Sequence, residues 1–257
     1  MDAPQATVVI VGGHERGATV PLEPLAEHGP LLRAGSAGRH LTEAVHQALE
    51  STDQPVCVVP MTMGRDPRLV ASAARTLMAV AAGAAEGRLM LADAFGNSTL
   101  LTGWLRVAAN EAADPHGREG LAVLLVANAA NAYDDAELFR IGRLVKVQDD
   151  IPWVEVAFHD GDPDVAEGVQ RCERLGADRV ALIPADFGPA TDTPLAGVID
   201  NGPLLRPATI SGMVASRVSA AIHKLSRGDD GIAAGLDADH DHHGHRDAPW
   251  QDPGPDA

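Results

Sequence analysis

Aromatic side chains make up only 3% of the 257 residues, so any core has to be packed from aliphatic chains rather than from large rings. Cysteine occurs twice, and Cys57 and Cys172 are too far apart to form a metal-type pair. Cys57 lies in the apolar run PVCVVP and Cys172 on a predicted helix, so both read as small packed residues of a reduced, cytoplasmic protein. Positive charge is short: 20 Lys and Arg stand against 36 Asp and Glu, a formal charge of -16. With no basic stripe, that field disfavours a nucleic-acid partner. No apolar run reaches the length of a membrane span, and the opening MDAPQA lacks the basic and apolar regions of a signal peptide, so no membrane association is expected. Gly12-Gly13 is not followed by G-x-G-x-x-G spacing, and neither a P-loop nor a G-x-S-x-G elbow occurs, which disfavours nucleotide-driven and serine-hydrolase chemistry.

What the chain does have is a regular alternation. Apolar runs at Thr7 to Gly13, Pro55 to Pro60, Arg88 to Asp93, Leu121 to Ala127, Trp153 to Phe158 and Arg179 to Pro184 are continuous rather than alternating, as expected for strands buried on both faces. Between them fall helical patterns at His40 to Glu50, Pro67 to Ala82, Ser98 to Ala113, Asp134 to Val147 and Pro163 to Leu175, with a last one near Gly212 to Arg227. Pro67 and Pro163 suit a first helical turn with Asp66 and Asp162 as caps, and Gly176 suits a helix stop. Strands alternating with helices predict an α/β fold on parallel sheets with right-handed crossovers.

The order runs through twice, and short stretches answer one another: VVIVGGHE and VLLVANAA, GRDPRLVASAARTL and GDPDVAEGVQRCERLG, RLMLADAFG and RVALIPADFG. This predicts an internal duplication, with one half over 1-117, a second over 118-228, and the seam in DPHGREG at 114-120. The Pro- and Gly-rich stretch from Ala18 to Gly38 reads as a lid or as disordered chain. Residues 229-257 carry eight Asp and one Arg, with His240, His242, His243 and His245 close together. Such a segment buries too little apolar surface to fold, and is expected to be a disordered acidic, His-rich tail. It reads either as a weak metal-collecting arm or as an inert solvated tail.

Ligands of parallel α/β sheets bind beyond the carboxyl ends of the strands. The residues expected there are His14 and Glu15, Met61, Met63 and Arg65, and Asp93 and Asn97 in the first half. The second half offers Asn128 and Asn131, His159 and Asp160, and Asp186. Imidazoles and carboxylates facing a cleft suit a divalent first-row metal with open positions. Simpler roles stand beside this one: His14 as the first polar residue of a turn, Asp160 as a cap, Met61 and Met63 as packing.

The strand ending in Gly-Gly-His14, the run VEVAFHDGDPDVAEGVQRCERLGADRVALIPADFG and the duplicated order resemble the class II chelatases, the sirohydrochlorin cobaltochelatase and ferrochelatase group. The resemblance spans about residues 5 to 190 and is clearest over 121 to 188, with Phe158, Asp160 and Leu175-Gly176-Ala177 matching well. It implies two flavodoxin-like, chelatase-like halves, each a mostly parallel sheet with helices on both faces. The implied enzyme is an ATP-independent lyase that inserts Co²⁺, or else Fe²⁺ or Ni²⁺, into a tetrapyrrole of cobalamin or siroheme synthesis. Carried over by position, His14 is the family's metal-holding histidine and base, Asp160 its assisting carboxylate, and Glu15 stands where the family has glycine. Asn128 falls where the second half would carry a histidine, leaving His159 as the available substitute. Arg16 and Arg65, with Arg68, would offset the carboxylates of the macrocycle. A neutral imidazole is both ligand and base near pH 7, so one residue could serve both steps. The other reading is a non-catalytic metal carrier on the same scaffold, using His240, His242, His243 and His245. Either protein would work as a monomer or a homodimer.

Overall fold

The computed structural model describes residues 5-22, 30-82, 87-115, 117-191 and 197-239. Among the described residues, eight strands form two sheets of four. The first consists of β1 (Thr7–Val11), β2 (Leu31–Ala34), β3 (Val56–Pro60) and β4 (Leu89–Leu91), in the order β2-β1-β3-β4. The second consists of β5 (Leu121–Asn128), β6 (Trp153–His159), β7 (Arg179–Pro184) and β8 (Val198–Asp200), in the order β6-β5-β7-β8. Every pairing is parallel. The registers coincide as well: Val11 lies opposite Ala34 and Pro60, and Val126 opposite Ala157 and Pro184. The fold is therefore α/β with a repeated half.

The helices are α1 (Arg39–Ser51), α2 (Pro67–Ala81), α3 (Ser98–Ala113), α4 (Ala132–Asp149), α5 (Val165–Arg174), α6 (Pro207–Leu225) and α7 (Ile232–Leu236). β1 shows why two layers are needed. Val9 and Val11 face α1 and α2, while Val8 and Ile10 face α6, the period of two that sets successive side chains on opposite faces. Around β5, Val123 and Leu125 pack with α3 and α4, and Ala122 and Leu124 with the Cys172 side of α5.

The halves exchange helices. α3 follows the last strand of the first sheet, yet Leu101, Leu105 and Ala109 are buried in the core of the second. α6 follows the last strand of the second sheet, yet Ile210, Val214 and Val218 complete the core of the first. Burying each of these Leu, Ile or Val side chains stabilises by roughly 1.5–3 kcal/mol, and the other half's helix completes one face of each sheet.

Several expectations need correction. β2 lies within the stretch expected to be a lid or disordered; four residues of which only Ala34 is buried, in a Pro- and Gly-rich region, gave it little pattern. Missing β2 put the repeat matching out of phase. β7 corresponds to β3, and RLMLADAFG, which contains β4, corresponds to the β8 region instead. The helix matching α5 is α1 rather than α2, since α1 and α5 each lead into the strand beside the first strand of their sheet. α5 begins at Val165, with the Asp164 side chain accepting from Glu167 N, so Asp164 is the cap instead of Asp162. Residues 229-239 are not a tail. The Asp230 carbonyl accepts from Leu91 N at 2.8 Å, and Ile232 of α7 joins the core beneath α2. Gly231 and Gly235 allow this approach, because a Cβ on either would lie 2.2 Å from Leu91 O or 2.4 Å from Leu91 Cδ2. His240, His242, His243 and His245 lie outside the described residues. Among the described residues, no helix is long and apolar enough to cross a membrane.

Candidate functional site

A strand order of 2-1-3-4 reverses direction between its first and third strands in sequence, and ligand crevices form at such switch points. In the first sheet that point lies beyond the ends of β1 and β3, where the chain presents His14 and Asp66. Their side chains meet, with His14 Nδ1 3.1 Å from Asp66 Oδ2. Gly13 is required for the approach, since a Cβ there would lie 2.1 Å from the same oxygen. Asp66 is held by its second task as cap of α2, where Oδ1 accepts from Leu69 N at 3.0 Å. His14 Nε2 is buried and has no hydrogen-bond partner.

Burial alone would lower the His14 pKa, but the Asp66 hydrogen bond and charge, helped by Glu15, outweigh it and raise the value. Burial conversely pushes Asp66 up, and its bonds to His14 bring it below the usual carboxylate range. The two shifts describe a carboxylate that fixes the ring and favours imidazolium.

Glu15 points the other way, into the protein. It is fully buried; Oε2 accepts from Thr62 Oγ1 and from Met63 N at 3.0 Å, while Oε1 has no partner. Burial pushes its pKa up to about 7, against the charge of Arg65 and the Thr62 hydrogen bond. Arg65, buried at 1% exposure, crosses from the first half to the second. Its Nη2 reaches Asp135 Oδ1 at 3.2 Å and Asn128 O at 3.4 Å, and its guanidinium lies 5.9 Å from the Phe158 ring centre. Asn128 Nδ2 donates to His14 O at 2.8 Å, and Phe187 N donates to Glu15 O at 3.1 Å. The two switch points thus face each other across a hydrogen-bonded seam.

The structure brings His14, Glu15, Arg65 and Asn128 together. Arg16, in a left-handed backbone conformation, lies beside Gly188 of the second half. His159 is not joined to His14. It stands opposite Asn128 in register, but its Nε2 lies 3.2 Å from the Pro189 carbonyl. Asp160 is exposed, also left-handed, and is not a partner of His14. Met61 and Met63 are core residues, Asn97 and Asn131 are helix caps, and Asp93 pairs with Lys224 at 2.7 Å. Among the described residues, no group of three or more His, Cys, Asp and Glu is gathered to hold a metal ion. Asp66 as the partner of His14 and Thr62 as the partner of Glu15 escaped sequence reasoning. The sequence marks Asp66 only as a cap, and its second role follows once β1 and β3 are known to be neighbours.

Two cavities flank Asp66. One of about 290 Å³ lies among Thr62, Asp66, the turn from β4 to α3, and α7. An open one of about 530 Å³ lies between Gly12-Gly13 and the Arg68 and Arg75 face of α2.

No family model matches the chain, and no curated protein matches it. Thirteen chains of known structure do. One is the multi-domain protein DR2241 of Deinococcus radiodurans, described as structurally similar to chelatases with two additional novel domains. It aligns at 14% identity and a TM-score of 0.43, over 82% of this chain. This chain spans 54% of that protein's length.

Proposed function

We propose that this protein is a metal chelatase acting on a tetrapyrrole, with His14 as the group that passes the ion to the ring. The supporting observation is the His14 side chain itself: Nδ1 is committed to Asp66 and Nε2 is uncommitted. Histidine ligands of metals are oriented in this way by a carboxylate on the far nitrogen. A macrocycle brings four nitrogens of its own, so a single protein ligand is enough to hold the ion over it. Inserting M²⁺ into a neutral ring releases two N–H protons, so charge balances with the metal bound and two protons passed on. An imidazole that has given up its ion is the nearest acceptor for one of them. Asp160 stays in this reading as an exposed acceptor at the rim, and Glu15 as the buried carboxylate behind His14. Arg16 and Arg65 are cations along the same seam. Co²⁺ is the first ion to try, with Fe²⁺ and Ni²⁺ after it.

The test is to supply full-length protein with sirohydrochlorin and Co²⁺ and follow the ring's absorption. The expected result is insertion faster than in buffer, and a His14→Ala rate lower by about 100-fold or more, the scale of a lost general base. Wild-type protein no faster than buffer would end the chelatase reading. Should it also bind Co²⁺ only while His240, His242, His243 and His245 are intact, the carrier reading replaces it.

A further inference from the structure

We infer that the open cleft between the turn from β2 to α1 and helix α2 binds a small molecule carrying two acidic groups, carboxylate or phosphate, and that Arg68 and Arg75 take one group each. Such a site needs neither the ion nor His14, so it stands whether or not the chain is a chelatase.

The cations come first. Arg39, Arg65, Arg106, Arg140 and Arg171 are each paired with a carboxylate within 3.2 Å. Among the described residues, Arg68 and Arg75 make no such ion pair, although the chain carries 36 Asp and Glu and both arginines line a cavity of about 530 Å³. Arg75 Nη2 donates to Ser72 Oγ at 2.9 Å, and Arg68 feels the charge of Asp134 across the seam. A guanidinium without a bonded carboxylate is the side chain best suited to take one, or a phosphate, by paired hydrogen bonds.

Spacing comes second. Arg68, Ser72, Arg75 and Thr76 stand at i, i+4, i+7 and i+8 of α2, on one face of the helix. Seven residues at about 1.5 Å each put the two arginine backbones roughly 10 Å apart. The bond from Arg75 back to Ser72 draws its guanidinium toward Arg68. Two acidic groups on one molecule fit that separation better than a single ion does.

The facing wall comes third. Ser36 and Gly38 of the turn line it; Gly38 N donates to Thr76 Oγ1 at 3.1 Å and Thr76 Oγ1 donates to Ser72 O at 2.8 Å, which ties the two walls together. α1 begins behind this turn with no side chain capping it and no acidic residue in its first turn, which adds partial positive charge. Asp66 is the one carboxylate in the lining, and both its oxygens are engaged, Oδ1 by Leu69 N and Oδ2 by His14 Nδ1. The walls are formed before any ligand arrives, which lowers the ordering cost of binding.

The experiment is a calorimetric titration of full-length protein, free of metal and in phosphate-free buffer, with pyrophosphate as the phosphate probe and citrate as the carboxylate probe. At least one is expected to bind at low ionic strength and more weakly as salt is added. Arg68→Gln and Arg75→Gln should each weaken that binding by about tenfold. Both side chains are exposed, so neither change touches the core. Arg174→Gln, at an exposed position at the end of α5, makes the same change in net charge and should bind as wild type. Neither probe binding, or the three variants binding alike, overturns the cleft and leaves the chelatase reading standing. Metal-free sirohydrochlorin then separates the two sources of such groups. An equal loss of ring affinity in Arg68→Gln and Arg75→Gln assigns the cleft to the carboxylates of the ring, and no loss, or no ring binding, assigns it to a separate ligand.

Discussion

The two switch points share one plan and differ in what their carboxylates do. In the first half, Asp66 takes the side chain of His14. In the second, Asp186 takes only backbone: Asn128 N at 2.9 Å on Oδ2 and Gly188 N at 2.7 Å on Oδ1. Their titration follows suit. Burial pushes both upward, but the bonds to His14 bring Asp66 below its usual range, whereas the two backbone bonds, with Arg65 and Arg16, leave Asp186 above it. The duplicated scaffold therefore puts a buried carboxylate beside each crevice, though at different positions: Asp186, two residues past Pro184, answers Thr62, two past Pro60, whereas Asp66 caps α2. Only the first half couples its carboxylate to a group that can exchange protons or bind an ion. Equal topology does not distribute chemistry equally.

The comparison breaks most severely at Arg65, the cation joining the two switch points. Replacing it by Ala strips Asp135 of its ion pair and leaves Glu15 without the charge that opposes its protonation. Removing one partner of a buried ion pair costs about 3–5 kcal/mol. Arg65→Ala should lower the urea midpoint accordingly, and a loss below about 1 kcal/mol would show that the seam is held by something else.

Glu15 gives the next largest effect. Its folded pKa of about 7 lies above the ordinary 4.5. The fold thus keeps the proton while the unfolded chain releases it, and the stability this contributes is complete below about pH 4.5. It is lost as pH rises through 7, on the order of 3 kcal/mol in all, at 1.36 kcal/mol per pH unit. His14, also raised, adds a loss of the same sign as pH rises from 6.5 through its folded value. Glu15→Gln should flatten the first part of that decline, read as wild-type minus variant stability from pH 4.5 to 8. An unchanged slope would mean that Glu15 is ionised throughout. The second half offers a control, since the register that matches Val11 with Val126 puts Ala129, rather than Asn128, where the first half has His14, and Ala130 where it has Glu15.

How much of this was legible in sequence depends on how local the signal is. β1, β3 and β5 are continuous aliphatic runs, and α3 coincides with its predicted span because its apolar spacing marks it, although Asn97, read as a site residue, is its cap. β2 and β8 are edge strands of four and three residues with partly exposed faces, too short for periodicity to identify. The exchange of α3 and α6 is invisible locally, because an amphipathic helix does not name the sheet it covers. The same holds for α7, whose five apolar residues lie in a segment that reads as acidic and low in complexity until Leu91 is known to lie against its glycines. Within the site, His14 and Glu15 stood out by following a strand. The Asp66 pairing and the separation of His159 from His14 depend on sheet order and on where a ring points.

The smallest effect separates positioning from closure. Asn128 donates its side-chain amide to His14 O at 2.8 Å, while its backbone N–H is secured by Asp186. Asn128→Ala removes the first bond and keeps the second, so the expected cost is about 1 kcal/mol, the net value of one hydrogen bond. Because the His14 ring is oriented through Nδ1 by Asp66 and not through its carbonyl, its NMR titration midpoint should stay at the wild-type value. A shifted midpoint would mean that the second half sets the orientation of the imidazole, and the division of labour between the two crevices would have to be redrawn with Asn128 on the chemical side.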